Sequence, residues 1–192
     1  MLNSIYTRKL RHNCEKSNLK FLDTVKKNLV LLGMMGVGKS TIGRIVAKKL
    51  NMEFIDADEN IEKKFSMKIV DIFEQKGEKF FRAEEEKEVL KLLKKNNCVI
   101  ALGGGAFINE NIRDCVLKNS VSMWLDIDLK IINERTKWNE KRPLLNNENS
   151  QKKINELYQA RKDIYRRANY KIDCNNLDKD NITKKIIIFY EN

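Results

Sequence analysis

Apolar residues along this chain alternate between short unbroken runs and longer stretches with helical spacing. Leu29-Val30-Leu31-Leu32 is a continuous apolar run ended by Gly33, the pattern of a strand buried on both faces. From Lys39 to Leu50 the apolar residues Ile42, Ile45, Val46 and Leu50 recur at helical spacing. Phe54-Ile55 starts a second strand that runs into acidic residues, and Gly77 to Lys95 reads as a long amphipathic helix. Cys98 to Leu102 predicts a third strand, stopped by three glycines, and Val121 to Leu125 a fourth. Leu129 to Thr136 is helical, Gln151 to Arg167 returns to helix, Tyr170 to Asp173 is a short fifth strand, and Ile182 to Tyr190 closes the chain as a helix. Strands alternating with helices predict a three-layer α/β/α domain around a five-stranded parallel sheet.

Two segments lack this periodicity. Residues 1–27 carry scattered charges and predict a flexible or loosely helical leader, which leaves 28–192 as a single domain. Residues 137–149 are polar, contain the only proline, Pro143, and predict a mobile lid.

Composition narrows the class. The formal net charge is +11, and the leader alone holds seven Lys/Arg against two Asp/Glu. Elsewhere lysines interleave with glutamates in helical stretches such as Glu84 to Lys95, the habit of solvated helix faces. With no dedicated motif, nucleic acid is not an expected partner. No run approaches the roughly 20 apolar residues of a membrane span, and the N-terminus has no signal-like apolar core. The four cysteines form no CxxC, and the single histidine, His12, lies in the leader. A cytoplasmic, reducing location and a monomeric state are expected.

The chemistry begins at Gly33-Met34-Met35-Gly36-Val37-Gly38-Lys39-Ser40, which fits G-x-x-x-x-G-K-[ST] between a buried strand and a helix. Backbone N–H groups of such a loop cradle phosphates, and the following helix aims its N-terminus at the anion. Lys39 is expected to reach the β- and γ-phosphates of ATP and the Ser40 hydroxyl to hold Mg²⁺. The second strand ends in Asp56-Ala57-Asp58. If the chain is still extended there, both carboxylates point the same way, toward the crevice at the carboxyl ends of the strands. Helix capping by Asp56-x-x-Glu59 is the competing reading.

Arginine is used sparingly, 10 against 28 lysines, so each can mark a need for planar, bidentate geometry. Glu85 falls on the apolar stripe of helix 77–95, and Arg82, three residues earlier, can pair with it. Arg161 lies on the inner face of helix 151–167, between Leu157 and Ile164, and requires an anionic partner: a protein carboxylate or a substrate. Arg166 and Arg167 are explained by compensation of the helix dipole. Arg142, before Pro143 in the lid, could swing toward a phosphate. Gly103-Gly104-Gly105 lets backbone touch a ligand or simply makes a tight turn.

In order, GMMGVGKSTIGR, FIDADENIE, DIFEQKGEKFFRAEEE, ALGGGA, ERT, KRPLL and ARKDIYRRA resemble the shikimate kinase family from about Asn28 to Asp173. The resemblance implies a nucleoside-monophosphate-kinase type of fold with strand order 2-3-1-4-5. It implies ATP and shikimate as substrates, with phosphorylation of the shikimate 3-hydroxyl, and one Mg²⁺. Lys39 then matches the phosphate lysine, and Gly33, Met35, Gly36, Val37, Gly38, Ser40 and Thr41 surround the nucleotide phosphates. Ser40 and Asp56 match the metal side. Asp58 matches the aspartate that binds shikimate hydroxyls and can act as base. Arg82 and Arg161 match the pair gripping the carboxylate, Glu85 the residue buttressing Arg82, and Gly103, Gly104 and Gly105 the pocket lining. Arg142 matches the lid arginine and Arg135 the one packing on adenine. Two features depart from the pattern. Asn175-Asn176-Leu177-Asp178 replaces an arginine- and proline-containing adenine loop, and the leader has no counterpart. A kinase for another hydroxy acid such as gluconate, a non-catalytic ATP-binding regulator and a nucleic-acid-associated ATPase remain as alternatives.

Overall fold

The computed structural model describes residues 26–137 and 149–192. Most of the expected leader, and Arg142 with nearly all of the expected lid, therefore lie outside the described residues. Five strands form the sheet: β1 (Asn28–Leu32), β2 (Glu53–Asp56), β3 (Cys98–Ala101), β4 (Ser120–Asp126) and β5 (Tyr170–Asp173). All pairings are parallel and the order is β2-β3-β1-β4-β5, as the resemblance implies. β1 lies at the centre, with Leu29 beside Val99 of β3 and Val121 of β4. Every residue of β1 is buried, which is why it reads as an unbroken apolar run rather than an alternating one.

Seven described α-helices cover the sheet: α1 (Lys39–Leu50), α2 (Ala57–Phe65), α3 (Ile69–Leu92), α4 (Glu110–Asn119), α5 (Leu129–Lys137), α6 (Asn149–Tyr165) and α7 (Lys179–Glu191). The main core joins β1, β3 and β4 to the inner faces of α1, α6 and α7, through Val46, Trp124, Tyr165 and Ile186 among others. Each such side chain, fully withdrawn from water, contributes about 1.5–3 kcal/mol before chain entropy is subtracted. Gly43 lets α1 close on the sheet: a Cβ there would stand 2.5 Å from the Phe54 ring.

The sequence pattern anticipated α2 only through the capping reading of Asp56, and did not anticipate the first part of α3. Its long helix was expected to start at Gly77, whereas α3 begins at Ile69 and is kinked at Gly77, whose φ of 82° and ψ of 162° leave the helical region. α2 and the two parts of α3 enclose a separate small core of Ile61, Ile72 and Phe81, flanked by Phe65, Met67, Ile69, Phe73 and Phe80. This lobe stands beside the carboxyl end of the sheet and carries Arg82. The two described residues before Asn28 also make hydrogen bonds to the rest of the chain. The Lys26 N–H donates to Asn97 Oδ1 at 2.8 Å, and Tyr190 donates to the Lys27 carbonyl at 2.5 Å. No helix among the described residues is long and apolar enough to cross a membrane.

Candidate active site

The carboxyl ends of β1, β2 and β3 open into a cavity of about 990 Å³, whose lining includes Met35, Ser40, Asp56, Asp58, Arg82, Glu85, the three glycines and Arg161. Sequence reasoning named all of these. The structure brings them together from five separate segments, in agreement with the rule that open α/β sheets bind ligands beyond their strand ends.

The P-loop follows β1, and α1 starts at its Lys39. Lys39 Nζ donates to the Gly33 and Met34 carbonyls at 2.9 Å each, so the ammonium lies over the loop's own backbone. Beside it, Ser40 Oγ donates to Asp56 Oδ2 at 2.5 Å. The other carboxylate oxygen of Asp56 accepts the N–H groups of Asp58 at 3.0 Å and Glu59 at 3.3 Å, which caps α2. The capping reading of Asp56 is therefore observed on one oxygen, while the other faces Ser40. The expected alternation of Asp56 and Asp58 along an extended strand does not: the strand stops at Asp56 and Asp58 sits in the first turn of α2. Asp58 faces the cavity because the helix turns it there. A Cβ on Gly103 would meet Asp58 Oδ1 at 2.5 Å and Glu85 Oε1 at 2.7 Å, so these two carboxylates converge on one backbone position.

Arg82 is held from its own helix. Nη1 donates to Glu85 Oε2 at 2.5 Å, and Nε and Nη2 reach Glu78 Oε1 at 3.3 Å. The guanidinium also lies 5.2 Å from the Phe81 ring centroid and 5.8 Å from that of Phe73, which limits its rotation. Gly105 is needed opposite it: a Cβ there would stand 2.6 Å from Nη1. Burial pushes the Glu85 carboxyl above its ordinary value, and neighbouring Asp58 adds to this against the pull of Arg82. Burial works against the charge of Arg82, but Glu85 and Glu78 together outweigh it and the guanidinium is held more firmly protonated.

Arg161 reaches the cavity from α6 and donates from Nη1 to the Gly104 carbonyl at 3.1 Å. Among the described residues it makes no ion pair within 4.0 Å, although its charge acts on the buried Glu85 carboxyl.

The sequence model of the family described as shikimate kinase matches residues 35–191. A shikimate kinase of Sulfurihydrogenibium is 42% identical over 161 residues, which span 84% of this chain and 96% of that protein. The chain belongs to the shikimate kinase family. A solved shikimate kinase from Acinetobacter baumannii, in complex with shikimate, superposes with a TM-score of 0.82 at 34% identity, over 85% of this chain and 92% of that one. A gluconokinase from Sinorhizobium meliloti has a TM-score of 0.54 at 15% identity over 87% and 93% of the two chains, a likeness of fold alone. As a member of the shikimate kinase family this chain is an ATP-dependent phosphotransferase acting on shikimate.

Other residues expected at the site stand apart from the main cavity. Thr41 is exposed on α1 and Arg135 is exposed on α5. Arg135 lies close enough to the end of β5 for its charge to act on the Cys174 thiol, which burial pushes up to about 12. Sequence reasoning missed two residues that brace the lining of this cavity. Arg113, buried on α4, donates to the Ile108 carbonyl at 2.9 Å and so braces the turn that follows the three glycines. Tyr165, buried at the end of α6, donates its hydroxyl to the Gly104 carbonyl. Its spacing of four from Arg161 was the available signal.

Proposed function

We propose that the acceptor's carboxylate is held between Arg82 and Arg161, with its hydroxyls on Asp58 and the Gly104 backbone, and that its 3-hydroxyl attacks the γ-phosphorus of ATP. The observation that carries this reading is the state of Arg161. An arginine that crosses an apolar helix face, reaches the same cavity as Arg82, and forms no ion pair within 4.0 Å among the described residues is placed to meet an anion with the donors not spent on Gly104 and Tyr165. Planar bidentate pairing with a carboxylate is the geometry a guanidinium serves best.

In the transfer, the hydroxyl oxygen forms a bond to phosphorus as the bond from phosphorus to the β,γ-bridging oxygen breaks, and ADP leaves. The hydroxyl's proton passes to Asp58, whose place beside Gly103 suits it as acceptor. Lys39 and the N–H groups of the P-loop stabilise charge on the transferring group, and positioning supplies most of the remainder. Ser40 Oγ and Asp56 Oδ2 are hard oxygen donors 2.5 Å apart, and among the described residues no cluster of three metal-binding side chains exists. Such a pair fits Mg²⁺, which keeps several waters and takes phosphate oxygens rather than a full protein cage. Bound there, Mg²⁺ supplies neutralisation of the phosphate charge. The assignments of Arg142 as lid arginine and Arg135 as adenine neighbour rest on the family pattern.

A coupled ADP-release assay across shikimate, gluconate and a nucleoside monophosphate tests this reading. The expected result is turnover with shikimate alone, and comparable turnover with gluconate would overturn it.

A further inference from the structure

The Gly104 carbonyl is bound twice from the same helix. Arg161 Nη1 donates to it at 3.1 Å, and the Tyr165 hydroxyl donates to it as well. Four residues apart on α6, these side chains leave one face of the helix together. Gly104 itself lies between α6 and the P-loop: a Cβ there would stand 3.5 Å from Met35 N, 3.7 Å from Gly33 O and 3.7 Å from Arg161 Nη1. The peptide that Tyr165 holds therefore touches both the nucleotide loop and the arginine assigned to the acceptor.

Tyr165 is 1% exposed, its ring packs 5.9 Å from that of Trp124, and its oxygen lies 3.8 Å from Met34 Sδ. Water has little access to the hydroxyl. Burial pushes the phenol's pKa up, against the charge of Arg161 and a hydrogen bond between the two side chains, so the group stays neutral and touches the guanidinium directly as well as through Gly104. A carbonyl oxygen has two lone pairs, and both of those on half-buried Gly104 are met from α6. With Tyr165 on one lone pair, Arg161 meets the carbonyl through a single N–H. Without the hydroxyl, the guanidinium is the remaining donor beside this carbonyl among the described residues, and it can turn a second N–H inward.

We propose that Tyr165 is a positioning residue for acceptor binding: by occupying one lone pair of the Gly104 carbonyl, it keeps the outer edge of the Arg161 guanidinium free for the acceptor's carboxylate. This rests on the reading that Arg161 binds that carboxylate. A purely structural tyrosine would affect stability, or both substrates alike; a positioning one acts through Arg161 and on the acceptor.

The test is steady-state kinetics on the wild type, Tyr165→Phe, Arg161→Lys and the double variant, with KM taken separately for shikimate and ATP and a melt for each protein. Phenylalanine keeps the ring packing and removes only the hydroxyl. Tyr165→Phe is expected to raise the shikimate KM about tenfold, on the scale of one buried hydrogen bond to a group shared with a charge, and to leave the ATP KM within about twofold. In the Arg161→Lys background the same change is expected to add less than about twofold, because coupled residues are not additive. A silent Tyr165→Phe, an equal rise in both KM values, or full additivity in the double variant overturns the role of Tyr165 alone. An unchanged shikimate KM in Arg161→Lys overturns the carboxylate reading and this proposal with it.

Discussion

Asp56 accepts the Ser40 hydroxyl on one carboxylate oxygen at 2.5 Å and caps α2 with the other. One side chain thus ties the nucleotide loop to the lobe that carries Arg82. The two duties can be separated by substitution. Asparagine caps a helix about as well as aspartate, whereas alanine forfeits about 1 kcal/mol. Asp56→Asn is therefore expected to keep the wild-type melting temperature and to lose turnover, with a higher Mg²⁺ requirement. Asp56→Ala should show both the activity loss and a lower melting temperature. Thermal melts with Mg²⁺ titrations of kcat check this.

Gly105 leaves room for the guanidinium of Arg82. A methyl group placed there would stand 2.6–2.9 Å from three guanidinium atoms, inside any tolerable contact. Gly105→Ala is expected to displace Arg82 and raise the shikimate KM by one to two orders of magnitude, since misaligning a buried charge pair costs about 2 kcal/mol or more. The ATP KM should change far less. Equal effects on both substrates would show that the clash is absorbed by the glycine turn rather than by Arg82.

Glu85 makes a prediction about pH. Its carboxyl is raised above the ordinary 4.5 by burial and by Asp58, despite Arg82. A carboxyl with a raised pKa in the folded state costs stability once it ionises. Relative to Glu85→Gln, the wild type should therefore be most favoured below 4.5 and lose ground as pH rises through the folded value. Denaturant unfolding of both proteins between pH 4 and 7 gives this difference directly. A difference that grows in the wild type's favour with pH would mean that Arg82 dominates and the carboxyl is lowered instead.

Much of this molecule can be read before folding. The central strands were legible because a parallel sheet buried on both faces leaves unbroken apolar runs such as Leu29 to Leu32. Arg161 was legible because a charge on an apolar stripe is anomalous. The lobe of α2 and α3 was not. Its core is only Ile61, Ile72 and Phe81 with their flanking side chains, and the kink at Gly77 divides its helical period. Asp58 was assigned to the site on the wrong geometry, since two acidic residues at the end of a strand look alike whether the chain stays extended or turns. Tyr165 escaped notice because an aromatic residue on an inner helix face is usually core, and only the structure shows its hydroxyl on Gly104.

The central claim is that this chain recognises its acceptor through a carboxylate gripped by Arg82 and Arg161. The direct measurement is kcat/KM of the unaltered protein for shikimate and for its methyl ester, which keeps the ring and every hydroxyl and removes only the negative charge. Leaving two guanidinium groups without their anion is expected to cost about 2–5 kcal/mol, a fall of roughly thirtyfold to several thousandfold. An ester phosphorylated as efficiently as the acid would contradict the account.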